Sequence, residues 1–173
     1  MKLVNQTVCA QLNCKLNLKH IARTTKDVEC SRKISAVIIR LRKPKSTAMI
    51  FQNGKITVTG TTSLFDAKKA MRRFARKIQK CGYDVKISNF NINNKVYSID
   101  AKIKVDLRNL QNVIRKKSSF EPELFGGLIY KSEYGGATIY QSGKINIYGI
   151  TKISNANKVR DEMYSFILES QLL

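Results

Sequence analysis

Apolar and polar side chains alternate over Asn5–Leu12 and again over Asn94–Lys104, the period of a strand with one buried face. Each run leads into a short helical segment, Leu16–Ala22 in the first case and Leu107–Ile114 in the second. Three more strands are expected in each half: Ile34–Leu41, Thr47–Phe51 and Lys55–Thr59, then Gly127–Lys131, Ala137–Tyr140 and Lys144–Tyr148. Asn53-Gly54 and Ser142-Gly143 read as tight hairpin turns, because glycine tolerates the positive φ such turns need. A longer helix closes each set, over Ser63–Lys80 and Asn155–Glu169, with further strand after each long helix or at the end of the chain. In the first long helix, Ala67, Met71, Phe74, Ile78 and Cys81 form one stripe at helical spacing and should face the sheet. Gly82 is a good stop for it. Lys68, Lys69, Arg72, Arg73, Arg76, Lys77 and Lys80 cover its other side. That basic face fits a solvated surface, and equally a docking site for an acidic partner or flanking DNA.

The pattern repeats at the level of residues. Phe51–Gly60 (FQNGKITVTG) recurs as Tyr140–Gly149 (YQSGKINIYG), an offset of 89 that also carries Asn5 onto Asn94. The chain reads as a tandem duplication, residues 1–88 and 89–173, with a period longer than those of helical and solenoid repeats. Two copies of one fold pack about a pseudo-two-fold axis, which suits a target that is itself two-fold symmetric, such as a DNA duplex.

Charge narrows the class of partner. Among 173 residues there are 32 Lys and Arg against 12 Asp and Glu, a net charge of +20. That excess points to a polyanion, nucleic acid first and an acidic membrane surface second. A hydrophobic fraction of 43% argues against disorder. No run approaches the roughly 18 apolar residues of a membrane helix, and Met1–Cys14 has no apolar core of a signal peptide. Cys9, Cys14, Cys30 and Cys81 include no C-x-x-C pair and His20 is the sole histidine, so no metal site is expected and the thiols should be reduced and intracellular. The sequon Asn5-Gln6-Thr7 is then a chance match. With few acidic residues and no clustered carboxylates, the chain is not expected to be an enzyme or to need a cofactor.

Four segments now carry a resemblance. Leu12–Leu18 (LNCKLNL), Ala36–Pro44 (AVIIRLRKP), Ser118–Phe125 (SSFEPELF) and Gly127–Tyr130 (GLIY) resemble, in order, segments of the TATA-box-binding protein family. The resemblance runs over nearly the whole chain and includes the duplication. It implies an α+β fold: a pseudo-two-fold saddle of two α/β repeats, with one curved antiparallel sheet and helices on the convex face. The family is itself a standard example of minor-groove binding with wedge side chains, so that mechanism follows from the resemblance.

Alternation supports it independently. If Ile56 and Val58 face the helices, Thr57 and Thr59 face the other way; Ile145 and Ile147 likewise leave Asn146 and Tyr148 on the concave side. Asn5, Thr7, Asn94 and Val96 hold the matching places on the first strands, and Met49 and Thr138 belong to the same face by resemblance. Asn5 and Asn94 match the family's paired central asparagines, suited to the acceptors of A·T pairs. Phe51 and Phe125 match two of four aromatic wedges, while Tyr140 and Ile34 replace the others. Lys33, Arg40, Lys55, Lys131 and Lys144 match phosphate-contacting positions. Glu121, Glu123 and Leu124 match the stirrup offered to transcription factor IIB, and Arg72, Arg73 and Lys80 are further candidate partner contacts; transcription factor IIB-like and IIA-like proteins are the expected partners.

The resemblance thus implies a promoter-binding initiation factor that bends A·T-rich duplex, recruits RNA polymerase machinery, and acts as a monomer on DNA with a weak homodimer when free. Its expected site is the nucleus, or the site of viral transcription for a viral copy. Departures keep an alternative open. The second hairpin is two residues shorter, with Gly135-Gly136 at its turn, and Thr7, Thr57, Asn146 and Tyr148 make the concave face more polar and bulkier. A diverged paralogue with relaxed sequence preference, or one that mainly docks proteins, fits those changes. The long N-terminal extension of many eukaryotic members has no counterpart in these residues.

Overall fold

The computed structural model describes residues 1–26, 28–31 and 34–172. In chain order the elements are β1 (Lys2–Gln11), α1 (Leu18–Thr24), β2 (Val28–Ser31), β3 (Ala36–Leu41), β4 (Ser46–Phe51), β5 (Lys55–Thr61), α2 (Leu64–Gln79), β6 (Ser88–Asp100), α3 (Leu107–Ile114), β7 (Ser118–Ser119), β8 (Gly127–Lys131), β9 (Gly136–Tyr140), β10 (Lys144–Ile150) and α4 (Ile153–Ser170). Two compact units emerge, one of Asn5–Asn93 and one of Met1–Val4 with Asn94 onward. They are called here the N-terminal and C-terminal units.

In the N-terminal unit the strand order is β2-β3-β4-β5-β1, every pairing antiparallel. Alternation decides which side is buried. Val8, Ala10, Val37, Ile39, Ala48, Ile50, Ile56 and Val58 are each at most 4% exposed and pack with Ala67, Met71, Phe74 and Ile78 of α2. An isoleucine or valine so enclosed contributes about 1.5–3 kcal/mol of transfer free energy. Ser63 caps α2 by accepting the N–H of Asp66 at 3.0 Å, and Gly82 ends it at φ +91°. Buried Gln6 is satisfied by the helix it touches, donating to the carbonyl of Ser63 at 2.6 Å.

The C-terminal unit repeats this plan. Its strand order is β6-β10-β9-β8-β7, and Tyr97, Ile99, Leu128, Tyr130, Ile139, Ile145 and Ile147 pack with Ala156, Val159, Met163 and Ile167 of α4. Tyr130 is 1% exposed, and its hydroxyl donates to Glu162 at 3.0 Å. Burial, then the carboxylate, push its pKa up to about 12.

Several boundaries differ from expectation. The first helix starts at Leu18 because Asn17 caps it, accepting the N–H of His20, while the Leu16 N–H is held by Gln52 of the hairpin. Strand β3 starts at Ala36, since Ser35 at φ +46° breaks the extended path and leaves Ile34 in a turn, 44% exposed. Strand β6 lies six residues earlier at its start and stops at Asp100, whose side chain accepts the N–H of left-handed Lys102. The chain does not end in strand: among the described residues α4 is the last element. The edge strands β2 and β7 are additions. The shorter second hairpin has a specific cause. Residues 42–45 and 132–135 give connections of equal length, but β3 and β4 have 6 residues each where β8 and β9 have 5. One rung is missing, and the turn itself is no tighter.

Candidate nucleic-acid interface

Each sheet leaves one face without helices, and register places the candidate residues on it. In the N-terminal unit, Thr7 pairs with Thr59, Thr59 with Thr47, Thr57 with Met49, and Ala36 with Phe51. All of these but Ala36 are half-buried, as expected for side chains covered by neighbours on one side only. In the C-terminal unit the equivalent row holds Asn146 opposite Thr138 and Tyr148 opposite Gly136, with Val96 on β6. Thr138 is 8% exposed and so largely covered. Register also adds residues that motif matching passed over: Cys9, Ile38, Thr47, Ser98 and Ile129 share these faces. Strict alternation along each strand would have found them.

Asn5 and Asn94 are held by matching devices. In each unit the strand partner carries a bulge, with Gly60 at φ +100° and Gly149 at φ +73°. Gly60 donates its N–H to Asn5 Oδ1 at 2.9 Å; Gly149 and Ile150 donate to Asn94 Oδ1 at 2.8 and 3.2 Å. A backbone N–H needs an acceptor, so the side-chain oxygen must face the bulge and the amide nitrogen must point away from it. The Nδ2 of Asn5 gives one hydrogen to Thr59 Oγ1 at 3.3 Å, which leaves a second available.

Four side chains stand at the strand ends. Phe51 and Tyr140 are half-buried, whereas Phe125 and Ile34 are each 44% exposed. None joins either helix-covered core. Phe125 meets Tyr140 edge-to-face, ring centroids 6.2 Å apart. Gly127 makes room for that pair, since a Cβ there would lie 2.9 Å from Phe125 Cε1 and 3.1 Å from Tyr140 Cε1. The added bulk of Tyr148 is absorbed similarly: its ring lies over Gly136, where a Cβ would come within 2.5 Å of it.

The cationic candidates differ in their surroundings. Lys55, Lys131 and Lys144 are exposed. Arg40 is exposed but ion-paired with Glu29, whose carboxyl is held below the usual range, first by the hydrogen bond from Arg40 and then by its charge. Lys33 lies outside the described residues. Glu121, Glu123 and Leu124 occupy an exposed turn closed by the Phe125 N–H bonding to the carbonyl of Glu121 at 2.9 Å, with Leu124 81% exposed. Arg72, Arg73 and Lys80 are exposed on and just after α2; Arg73 also donates to the carbonyl of Lys43. Among the described residues the four cysteines are unpaired, and no group of three His, Cys, Asp or Glu side chains could hold a metal. Nor is any helix there long and apolar enough to cross a membrane.

The two-unit plan has close counterparts. The whole chain superimposes on Methanococcus jannaschii TBP with a TM-score of 0.82 at 26% identity, covering 97% of this chain and 98% of that one. The model of the family described as transcription factor TFIID (or TATA-binding protein, TBP) matches residues 1–81 and 89–170. The chain therefore belongs to the TATA-binding protein family, a family of transcription factors and not of enzymes. It is 41% identical to "TATA box-binding protein-like 2" of Rattus norvegicus over 172 residues, covering 98% of this chain and 50% of that protein. It is 35% identical to "TATA-box-binding protein-like 1" of Entamoeba histolytica, covering 95% of this chain and 78% of that protein. With "TATA-box-binding protein" of Schizosaccharomyces pombe it shares 42% identity, covering 94% of this chain and 68% of that protein. The chain thus spans about half the length of the rat relative.

Proposed function

We propose that the chain binds the minor groove of A·T-rich promoter duplex through the helix-free faces of both units, bends it, and so serves as a transcription initiation factor in the nucleus. The observation that carries this reading is the pair Asn5 and Asn94. Each has its oxygen occupied by a bulge N–H, so each offers amide hydrogen from a face whose other side chains, Asn146 apart, are chiefly hydroxyl and apolar groups. The minor groove of A·T pairs presents acceptors alone, whereas a G·C pair adds a donor that would oppose those hydrogens. Phe51, Phe125, Tyr140 and Ile34 stand outside the cores as wedges able to open base steps, which costs a few kcal/mol per step and is offset by wrapped contact. Exposed Lys55, Lys131 and Lys144 take phosphates.

The repeats, with their boundary at residues 88/89, divide further tasks. The exposed Glu121, Glu123 and Leu124 fit a transcription factor IIB-like protein with a basic patch, and Arg72, Arg73 and Lys80 fit an acidic, transcription factor IIA-like protein; both would connect the promoter to RNA polymerase machinery. A second reading, relaxed sequence preference, draws on the polar side chains Thr7, Thr57 and Asn146 on the same faces. A bending assay on duplexes differing only in A·T content separates the two. Bending confined to A·T-rich duplex, and lost in Phe51→Ala/Phe125→Ala, supports the first reading. Equal bending of G·C-rich duplex supports the second, and no bending of either defeats both.

A further inference from the structure

We propose that the outer edge of the C-terminal unit, at β7 and β8, is an additional binding site for backbone phosphates of the duplex, while at the equivalent edge of the N-terminal unit Arg40 is engaged by Glu29 of the chain itself. The inference rests on the minor-groove reading and extends it from Lys131, which that reading already uses, to Lys116, Lys117 and Ser119, which it does not.

Register makes the two edges directly comparable. Glu29 on β2 pairs with Ile38, and Ser119 on β7 pairs with Ile129. Ile38 in turn faces Met49, and Ile129 faces Thr138, positions related by the repeat. Ser119 therefore stands where the first unit has Glu29. Arg40, opposite Thr47, and Lys131, opposite Gly136, are related in the same way. So one edge pairs a cation with a carboxylate, and the other sets a cation beside a hydroxyl.

The difference is compounded by the residues before β7. The turn Arg115–Lys117 adds Lys116 and Lys117, which with Ser118, Ser119, Ile129 and Lys131 line an open cleft of about 190 Å³. Among the described residues the ion pairs are Arg40–Glu29 and Arg160–Asp161, so no carboxylate is ion-paired with these three ammonium groups. Like charges brought together repel, and a polyanion relieves that repulsion. The Ser119 hydroxyl in the lining can donate to a phosphate oxygen, whereas the Ser118 hydroxyl already donates to the carbonyl of Arg115 at 3.0 Å. The cleft is continuous with the helix-free face through Ile129 and Lys131, which argues for the backbone of the same duplex as its occupant. At the other edge Arg40 is already engaged by Glu29 and has less to gain from a phosphate.

The test is the salt dependence of binding to a short A·T-rich duplex, between about 50 and 200 mM KCl. Removing one phosphate-neutralising cation lowers the slope of log K against log salt by about 0.9. Lys116→Ala/Lys117→Ala should lower it by up to about 1.8, with thermal unfolding and the DNA bend unchanged. Glu29→Gln should steepen the slope by about 0.9 by releasing Arg40. A control of equal charge change, Lys19→Ala/Lys152→Ala beside the helices, should keep the wild-type slope. A wild-type slope in the Lys116/Lys117 variant or in Glu29→Gln, or an equal fall in the control, overturns the proposal. Failure of the wild type to bend the duplex would instead remove the minor-groove reading on which it rests.

Discussion

Gly149 donates its backbone N–H to the side-chain oxygen of Asn94 at 2.8 Å, and that bond decides which way the amide points. Gly60 does the same for Asn5 at 2.9 Å. The glycines sit at φ +73° and +100°, where a β-carbon would be strained, so bulge, glycine and amide orientation form one unit.

Replacing the amide by a carboxylate keeps the acceptor and removes the donor. Asn94→Asp and Asn5→Asp should therefore retain the bulge bond and thermal stability. Each should lower affinity for A·T-rich duplex by about 5- to 150-fold, in line with about 1–3 kcal/mol for a base-edge contact. Gel-shift titration beside a melting curve checks both halves; a large fall in melting temperature with unchanged binding would mean the asparagines serve the fold alone.

Gly127 gives a second handle. Its backbone is extended, so its φ suits alanine, but the new methyl would press on the rings of Phe125 and Tyr140 and on Thr138 Cγ2, 2.9 Å away. Those rings are at the ends of movable side chains and must shift. Gly127→Ala should fold normally and bend DNA less, read as a change in fluorescence-transfer distance between the duplex ends. An unchanged bend would show that the ring pair does not set the wedge.

Tyr130 predicts a pH effect. Its pKa rises from an ordinary value near 10 to about 12 in the folded chain. The folded state thus holds the proton more tightly than the unfolded state. This stabilisation is complete below about pH 10 and is lost as pH rises through about 12. Tyr130→Phe should cost about 1 kcal/mol near neutral pH, because Glu162 loses a donor, and should flatten the decline between pH 10 and 12. Urea titrations at several pH values would detect it.

Much of this architecture is legible in the chain. The offset joining Phe51 to Tyr140 exposes the duplication, and α3 and β8 have the bounds their patterns predict. The stripe Ala67–Met71–Phe74–Ile78 is the buried face of α2 because helical period and burial coincide there. The edge strands β2 and β7 escape notice because four and two residues are too few to show a period. Interactions between distant residues are equally hidden. Nothing local announces that Glu29 will meet Arg40, that Gly136 will accept the ring of Tyr148, or that Gly60 will aim Asn5. Each depends on register between strands, which alternation restricts but does not specify. Cys9, Ile38 and Ser98 escape for a simpler reason: they match no motif, though alternation already puts them on the open faces.

The central claim, recognition from the minor groove, is tested most directly by replacing A·T pairs with inosine·cytosine pairs. Such pairs keep the acceptor pattern of A·T in the minor groove and carry that of G·C in the major groove. The account predicts that affinity for the inosine·cytosine duplex stays within a few-fold of that for A·T, while a G·C duplex of matched sequence binds far more weakly. If the inosine·cytosine duplex binds as weakly as G·C, the protein reads the other groove and the account is wrong.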